Sequence, residues 1–101
     1  MGSTEEVVDV YADKHVRVQV HVRGGLVFFE GGADALEFLG KLFLARSKAD
    51  ADDCAYWISP KNPGSAFFDP KAALGIYIHR LPCGERHPER ARERGQTRSI
   101  R

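Results

Sequence analysis

From Val16 to Arg23 apolar and polar residues alternate without a break: Val16, Val18, Val20 and Val22 against Arg17, Gln19, His21 and Arg23. Successive side chains of a strand point to opposite faces, so this period of two predicts a strand with one dry and one wet face. Gly24-Gly25 follows at once, and then the apolar run Leu26-Val27-Phe28-Phe29-Glu30. Paired glycines supply the positive φ angles of a two-residue hairpin turn. That turn sets Arg23 opposite Leu26 and Val22 opposite Val27, and opposite residues share a face. Val27 and Phe29 are therefore expected in the core beside the valines. Leu26 and Phe28 are expected on the polar face with Arg17, His21 and Arg23.

The flanking segments complete the pattern. Val7-Val8-Asp9-Val10-Tyr11-Ala12 reads as a strand before the hairpin. After Gly31-Gly32, Asp34 with Glu37 three residues on approximates a capping box, and a helix runs to about Lys48. Its stripe is Leu36, Leu39 and Phe43, widened by Ala35, Phe38, Leu42 and Ala45, while Leu44 falls on the polar edge. Burial of Leu39 and Phe43 would make either alanine substitution cost about 2–5 kcal/mol. Residues 54–58 read as a fourth strand, 59–64 as a loop, Asp69-Pro70-Lys71 as a short helical turn, and 74–81 as a fifth strand. The sum is βββαββ. A helix with one apolar stripe buries it on a sheet, which gives a two-layer α+β domain: a mostly antiparallel five-stranded sheet with one main helix on one face.

Charge divides the chain. Residues 85–101 carry six arginines against three glutamates, so the formal net charge of +1 leaves the remainder at −2. A single α+β domain over residues 1–84 and a basic, disordered tail over 85–101 are expected. An acidic body of this kind makes nucleic acid an improbable partner. No apolar run reaches the length of a membrane span, and Met1–Glu6 is polar and acidic, so a cytoplasmic location without membrane attachment is expected.

Candidate chemistry is sparse. Cys54 and Cys83 would approach each other if the last two strands paired antiparallel, with His79 and His87 nearby in sequence. Two cysteines and two histidines are a common zinc set, but the compact cysteine pairs of zinc modules are missing. Reduced thiols that stability does not need, with no metal and no cofactor, are the expectation; a disulfide between the two is the alternative ranked above zinc, and it needs a strand register that the sequence does not fix. A small enzyme built on Cys83 and His79 is a lesser alternative, because no orienting group for such a nucleophile can be named. The glycine pairs lack the spacing of a phosphate loop.

What remains is surface. Leu26, Phe28, Leu44 and part of the set Tyr56, Trp57, Phe67, Phe68 and Tyr77 exceed what one small core holds. Aromatic residues beside arginines are the usual composition of interface centres. Arg17, His21, Arg23, Leu26 and Phe28 are therefore the expected protein interface, and no catalytic residue is assigned.

Residues 25–31 (Gly-Leu-Val-Phe-Phe-Glu-Gly), 33–39 (Ala-Asp-Ala-Leu-Glu-Phe-Leu), Trp57-Ile58-Ser59-Pro60 and 69–78 (Asp-Pro-Lys-Ala-Ala-Leu-Gly-Ile-Tyr-Ile) together resemble small bacterial immunity proteins. The similarity is to the family numbered thirty-two among polymorphic-toxin immunity domains, and it spans roughly Val22 to Leu81. That family tends to carry histidine in the strand after the helix, where this chain has Ala55-Tyr56-Trp57-Ile58. The resemblance implies a cytoplasmic, non-catalytic protein that neutralises a toxin by binding it. The alternative is a homodimeric domain of mobile-gene type whose open sheet face is the dimer seam.

Overall fold

The computed structural model describes residues 2–83. The tail expected over 85–101 lies outside the described residues. In chain order the elements are α1 (Thr4–Ala12), β1 (Gln19–Arg23), β2 (Leu26–Glu30), α2 (Ala33–Ser47), β3 (Ala55–Ile58) and β4 (Ile76–His79), with short 3-10 turns at Ala51–Asp53 and Ser65–Phe67. The fold is α+β, but among the described residues no five-stranded sheet forms. The strands make two separate antiparallel pairs, β1 with β2 and β3 with β4.

The first correction is α1, which stands where a strand was expected. Ser3 caps it: the Ser3 hydroxyl accepts from the Glu6 amide at 3.1 Å, and Glu6 Oε1 accepts from the Ser3 amide at 3.1 Å. This reciprocal capping box satisfies donors that open every helix. The same carboxylate accepts from the Gly2 amide, and these backbone donors hold Glu6 below its usual carboxylate range. Thr4, Val7 and Tyr11 are buried, three and four residues apart, which is helical and not strand periodicity. α1 lies on α2, with the Tyr11 and Phe38 rings 5.5 Å apart.

The cap and the helical buried stripe of α1 favour helix over strand in this segment. The two hairpins then meet at one parallel bridge: the Val18 amide donates to the Phe67 carbonyl at 3.0 Å, and the Asp69 amide to the Val18 carbonyl at 2.9 Å. The core gathers around that bridge. Val16, Val18 and Val20, Phe38 and Leu42 of α2, and Phe67, Phe68, Ile58 and Ile76 form one buried cluster, in which Phe38 and Phe67 stack at 4.6 Å.

α2 begins one residue before Asp34 and takes Gly32 as its cap, with no side-chain capping bond. Asp34 instead sits in the first turn, where its charge faces the positive end of the helix dipole. The buried stripe is Ala35, Phe38, Leu39, Leu42, Ala45 and Arg46. Leu36 and Phe43 therefore lie on its flank, exposed, and Leu44 is exposed as expected. The core role expected for Phe43 is not met, because the hairpin covers less of the helix than a five-stranded sheet would.

The loop after β3 turns on Gly64, whose φ of +81° is left-handed and whose missing Cβ would fall 2.6 Å from Ile58 Cγ2. Either fact alone demands glycine here. At Asp69 a single hydrogen-bonded turn replaces the expected short helix, with the Lys71 amide donating to Asp69 Oδ1 at 2.8 Å.

Candidate functional site

The β1–β2 hairpin has the register that the Gly24-Gly25 turn dictates, including Arg23 opposite Leu26 and His21 opposite Phe28. Both glycines have positive φ, 61° and 78°, as the tight turn requires. On the polar face, His21 and Phe28 stack with ring centroids 4.9 Å apart and planes 8° from parallel. The Arg23 guanidinium sits 4.9 Å from the Phe28 centroid, and His21 Nε2 lies 2.9 Å from Glu30 Oε1. Of the five residues expected to meet a partner, His21, Arg23 and Phe28 are thus brought together, but they engage one another and Glu30. Arg17 and Leu26 are exposed and take no part in that stack.

The opposite face carries the larger surprise. Val20 is buried, yet Val22, Val27 and Phe29 on the same face are 60%, 56% and 43% exposed. The apolar face of the hairpin is thus covered at Val20 and open at Val22 and Val27 beside the turn. Phe29 meets Phe43 of α2 edge to face at 6.5 Å. Val22, Val27, Phe29 and Phe43 form an exposed apolar strip across hairpin and helix. The alternation in the sequence marked this face, but only as core.

The outer edge of β2 is equally open. In an antiparallel pair closed by a two-residue turn, Leu26, Phe28 and Glu30 direct their backbone groups at β1. Val27 and Phe29 then direct theirs outward. Among the described residues no strand other than β1 pairs with β2.

A second cluster lies at the far end of β3–β4. Ala55 pairs with His79, and the Arg80 amide donates to the Cys54 carbonyl at 2.9 Å. This ladder brings Cys54 to Cys83, and the two are joined in a disulfide with Cα atoms 5.7 Å apart across a sequence separation of 29. The separation suits such a bond. Whether the two cysteines pair was left open by spacing alone; here the antiparallel pairing of the last strands supplies the proximity, and the pair stands in place of the reduced thiols expected. The Cys54 and Cys83 sulfurs and a ring nitrogen of His79 all lie within 4.8 Å of one another. While the disulfide stands, neither sulfur is a thiolate, so it cannot serve the nucleophilic role weighed for Cys83.

Arg46 is the residue that sequence patterning missed. It is 2% exposed, and its guanidinium donates to Thr4 Oγ1 at 3.0 Å and to the Asp53 carbonyl. It also lies 5.2 Å from the Tyr56 ring centroid. One side chain thereby ties α1, α2, the Ala51–Asp53 turn and β3. The available signal was its place in the buried stripe, eight residues after Phe38. Nearby, burial first and then a hydrogen bond with Glu37 push the Tyr11 phenol up to about 12. Burial also raises Tyr56, with the Arg46 charge opposing.

Among the described residues no helix is long and apolar enough to cross a membrane. Comparison of the chain with protein-family models, curated proteins and solved structures finds no match.

Proposed function

We propose that this chain is a non-catalytic protein-association domain, and that its first partner is a second copy of itself, joined edge to edge along β2. The observation that carries this reading is the open β2 edge beside the exposed strip of Val22, Val27, Phe29 and Phe43. Unpaired edges of this kind are templates for a further strand. A two-fold axis at Phe28 sets Val27 opposite Phe29 of the other copy, which are the residues whose backbone groups point outward. Four new hydrogen bonds follow, two from each such pair.

Side-chain chemistry agrees with that register. On the apolar face the row across the four strands runs Val20, Phe29, then Val27 and Val22 of the second copy. On the polar face Leu26 opposes Glu30 of the second copy, so no like charges meet directly. A two-fold contact uses one patch twice and closes on itself, which suits a self-complementary edge. A cytoplasmic setting belongs to the same reading, and there the Cys54–Cys83 bond would be reduced. The toxin-binding role implied by the immunity-protein resemblance would use the same strip on a different protein.

A cysteine scan tests the register. Phe28→Cys places two sulfurs across the axis on Cα atoms about 4.5 Å apart, within disulfide reach. Mild oxidation should give a covalent dimer from Phe28→Cys and little from Leu26→Cys. Sedimentation should show the parent as a dimer, and the Val27→Lys/Phe29→Lys double variant as a folded monomer. A parent that is monomeric at every concentration overturns self-pairing and leaves the strip to a different protein.

A further inference from the structure

We infer that Cys54, His79 and Cys83 form a binding site for a zinc-class divalent cation once the Cys54–Cys83 bond is reduced. The inference is independent of the association surface on the first hairpin. It rests on the convergence of two sulfurs and one imidazole nitrogen within 4.8 Å.

The fold makes the convergence from two directions. His79 ends β4, and Cys83 follows four residues later through Arg80-Leu81-Pro82, so this pair is local. Cys54 comes from across the sheet. It immediately precedes β3, its carbonyl is held by the Arg80 amide, and its side chain is fully buried. The β3–β4 register therefore fixes the one ligand that sequence spacing cannot deliver.

Size and charge both suit the ion. Zinc–sulfur bonds of about 2.3 Å in a tetrahedron place two thiolates roughly 3.8 Å apart. With the Cα atoms 5.7 Å apart, rotation of the cysteine side chains reaches that spacing without moving the strands. Two thiolates neutralise a divalent ion, and neutral imidazole adds no charge, so the filled site places no net charge against the buried Cys54. Soft sulfur with imidazole selects zinc-class metals, whereas calcium and magnesium require oxygen ligands. The described residues supply three ligands, and a tetrahedral ion takes a fourth from another source.

The chemistry balances in two steps. A thiol reductant supplies two electrons and two protons, breaks the sulfur–sulfur bond and is itself oxidised to a disulfide. The cation then displaces the two thiol protons to solvent and forms two metal–sulfur bonds, while His79 gives a lone pair from one ring nitrogen. Disulfide and metal are thus alternative occupants of one place: an oxidising compartment favours the first and a reducing one the second.

The test uses the full chain, reduced and freed of reductant without air, and titrated with cobalt(II) as a spectroscopic substitute. Reduced parent should bind one equivalent, with a thiolate-to-cobalt charge-transfer band and tetrahedral ligand-field bands that zinc abolishes. Oxidised parent should show neither. His79→Asn retains both cysteines and so can still form the disulfide. In reduced form it should lose more affinity than the roughly 10–100-fold typical of outer-shell substitutions, with shifted ligand-field bands. Should reduction unfold the chain, zinc should restore its circular dichroism. Absence of the charge-transfer band in reduced parent, unchanged affinity and spectrum in His79→Asn, or a reduced chain that stays unfolded with zinc each overturns the inference.

Discussion

The two hairpins obey the same pairing rule and meet opposite fates. β1–β2 closes on two glycines, keeps its register to the tip and leaves Val22, Val27 and Phe29 exposed. β3–β4 is joined by a long loop, yet Ile58 and Ile76 at its loop end are buried and its far end is tied by the Cys54–Cys83 bond. A tight turn thus secures pairing without securing burial. Burial came from what packs beneath: Phe38 and Phe67 lie in the core that the second hairpin shares, while α2 ends its cover of the first hairpin at Phe43. The better-specified hairpin is the less buried one, which is why its apolar face suits a partner.

The strongest test of this contrast deletes one ring from each side. Phe38→Ala empties the shared core and should lower stability by about 3–5 kcal/mol in denaturant titration. Phe29→Ala should lower that of the monomer by less than about 1 kcal/mol, because the ring is already 43% exposed. Equal losses would mean that the first hairpin is as embedded as the second.

Next in size is the tie on the second hairpin. Closing a chain segment of separation 29 restricts the unfolded state enough to contribute roughly 3–4 kcal/mol. Metal-free reduction should therefore lower the melting temperature by roughly 12–30 °C. An unchanged calorimetric transition would restore the view that stability does not need these cysteines.

Arg46→Ala should lower stability by roughly 2–3 kcal/mol, through lost charge-assisted hydrogen bonds and lost packing of the stem. The loss should appear as earlier exchange of the α1 amides, since Thr4 is one of its partners. Protection that falls only in β1–β2 would contradict the clasp.

The smallest effect in ordinary buffers is the Tyr11 phenol. Burial pushes it up to about 12 in the folded chain, above the ordinary tyrosine range. A raised folded value favours the neutral phenol, so the contribution is full below about pH 10 and is lost as pH rises through the folded value. Ultraviolet titration should show the last tyrosine step accompanied by loss of α1 helicity, and Tyr11→Phe should remove that step while leaving the raised Tyr56 step in place. A helicity-linked last step that persists in Tyr11→Phe would assign it to another tyrosine.

Local chemistry was legible where a short segment decided its own conformation. The alternation and glycine pair gave the first hairpin its register, and the apolar stripe gave α2, whose cap is Gly32, two residues before the Asp34 expected. The helix α1 was legible too, since Ser3-Thr4-Glu5-Glu6 is a capping box, but the valines after it weighed toward a strand. Three of the five candidate interface residues, His21, Arg23 and Phe28, are brought together on the polar face, as the register of the turn implied. On the apolar face Val16, Val18 and Val20 are in the core as expected, whereas Val22, Val27 and Phe29 are exposed.

The sequence by itself determined which residues turn, pair and alternate, because φ limits, capping bonds and side-chain period act over a few residues. Only the tertiary structure decided how far α2 reaches along the hairpin, that Arg46 is buried, and that Cys54, His79 and Cys83 converge. Those depend on contacts between segments distant in the chain. Their balance of burial against chain entropy is set by the whole packing and by no local spacing.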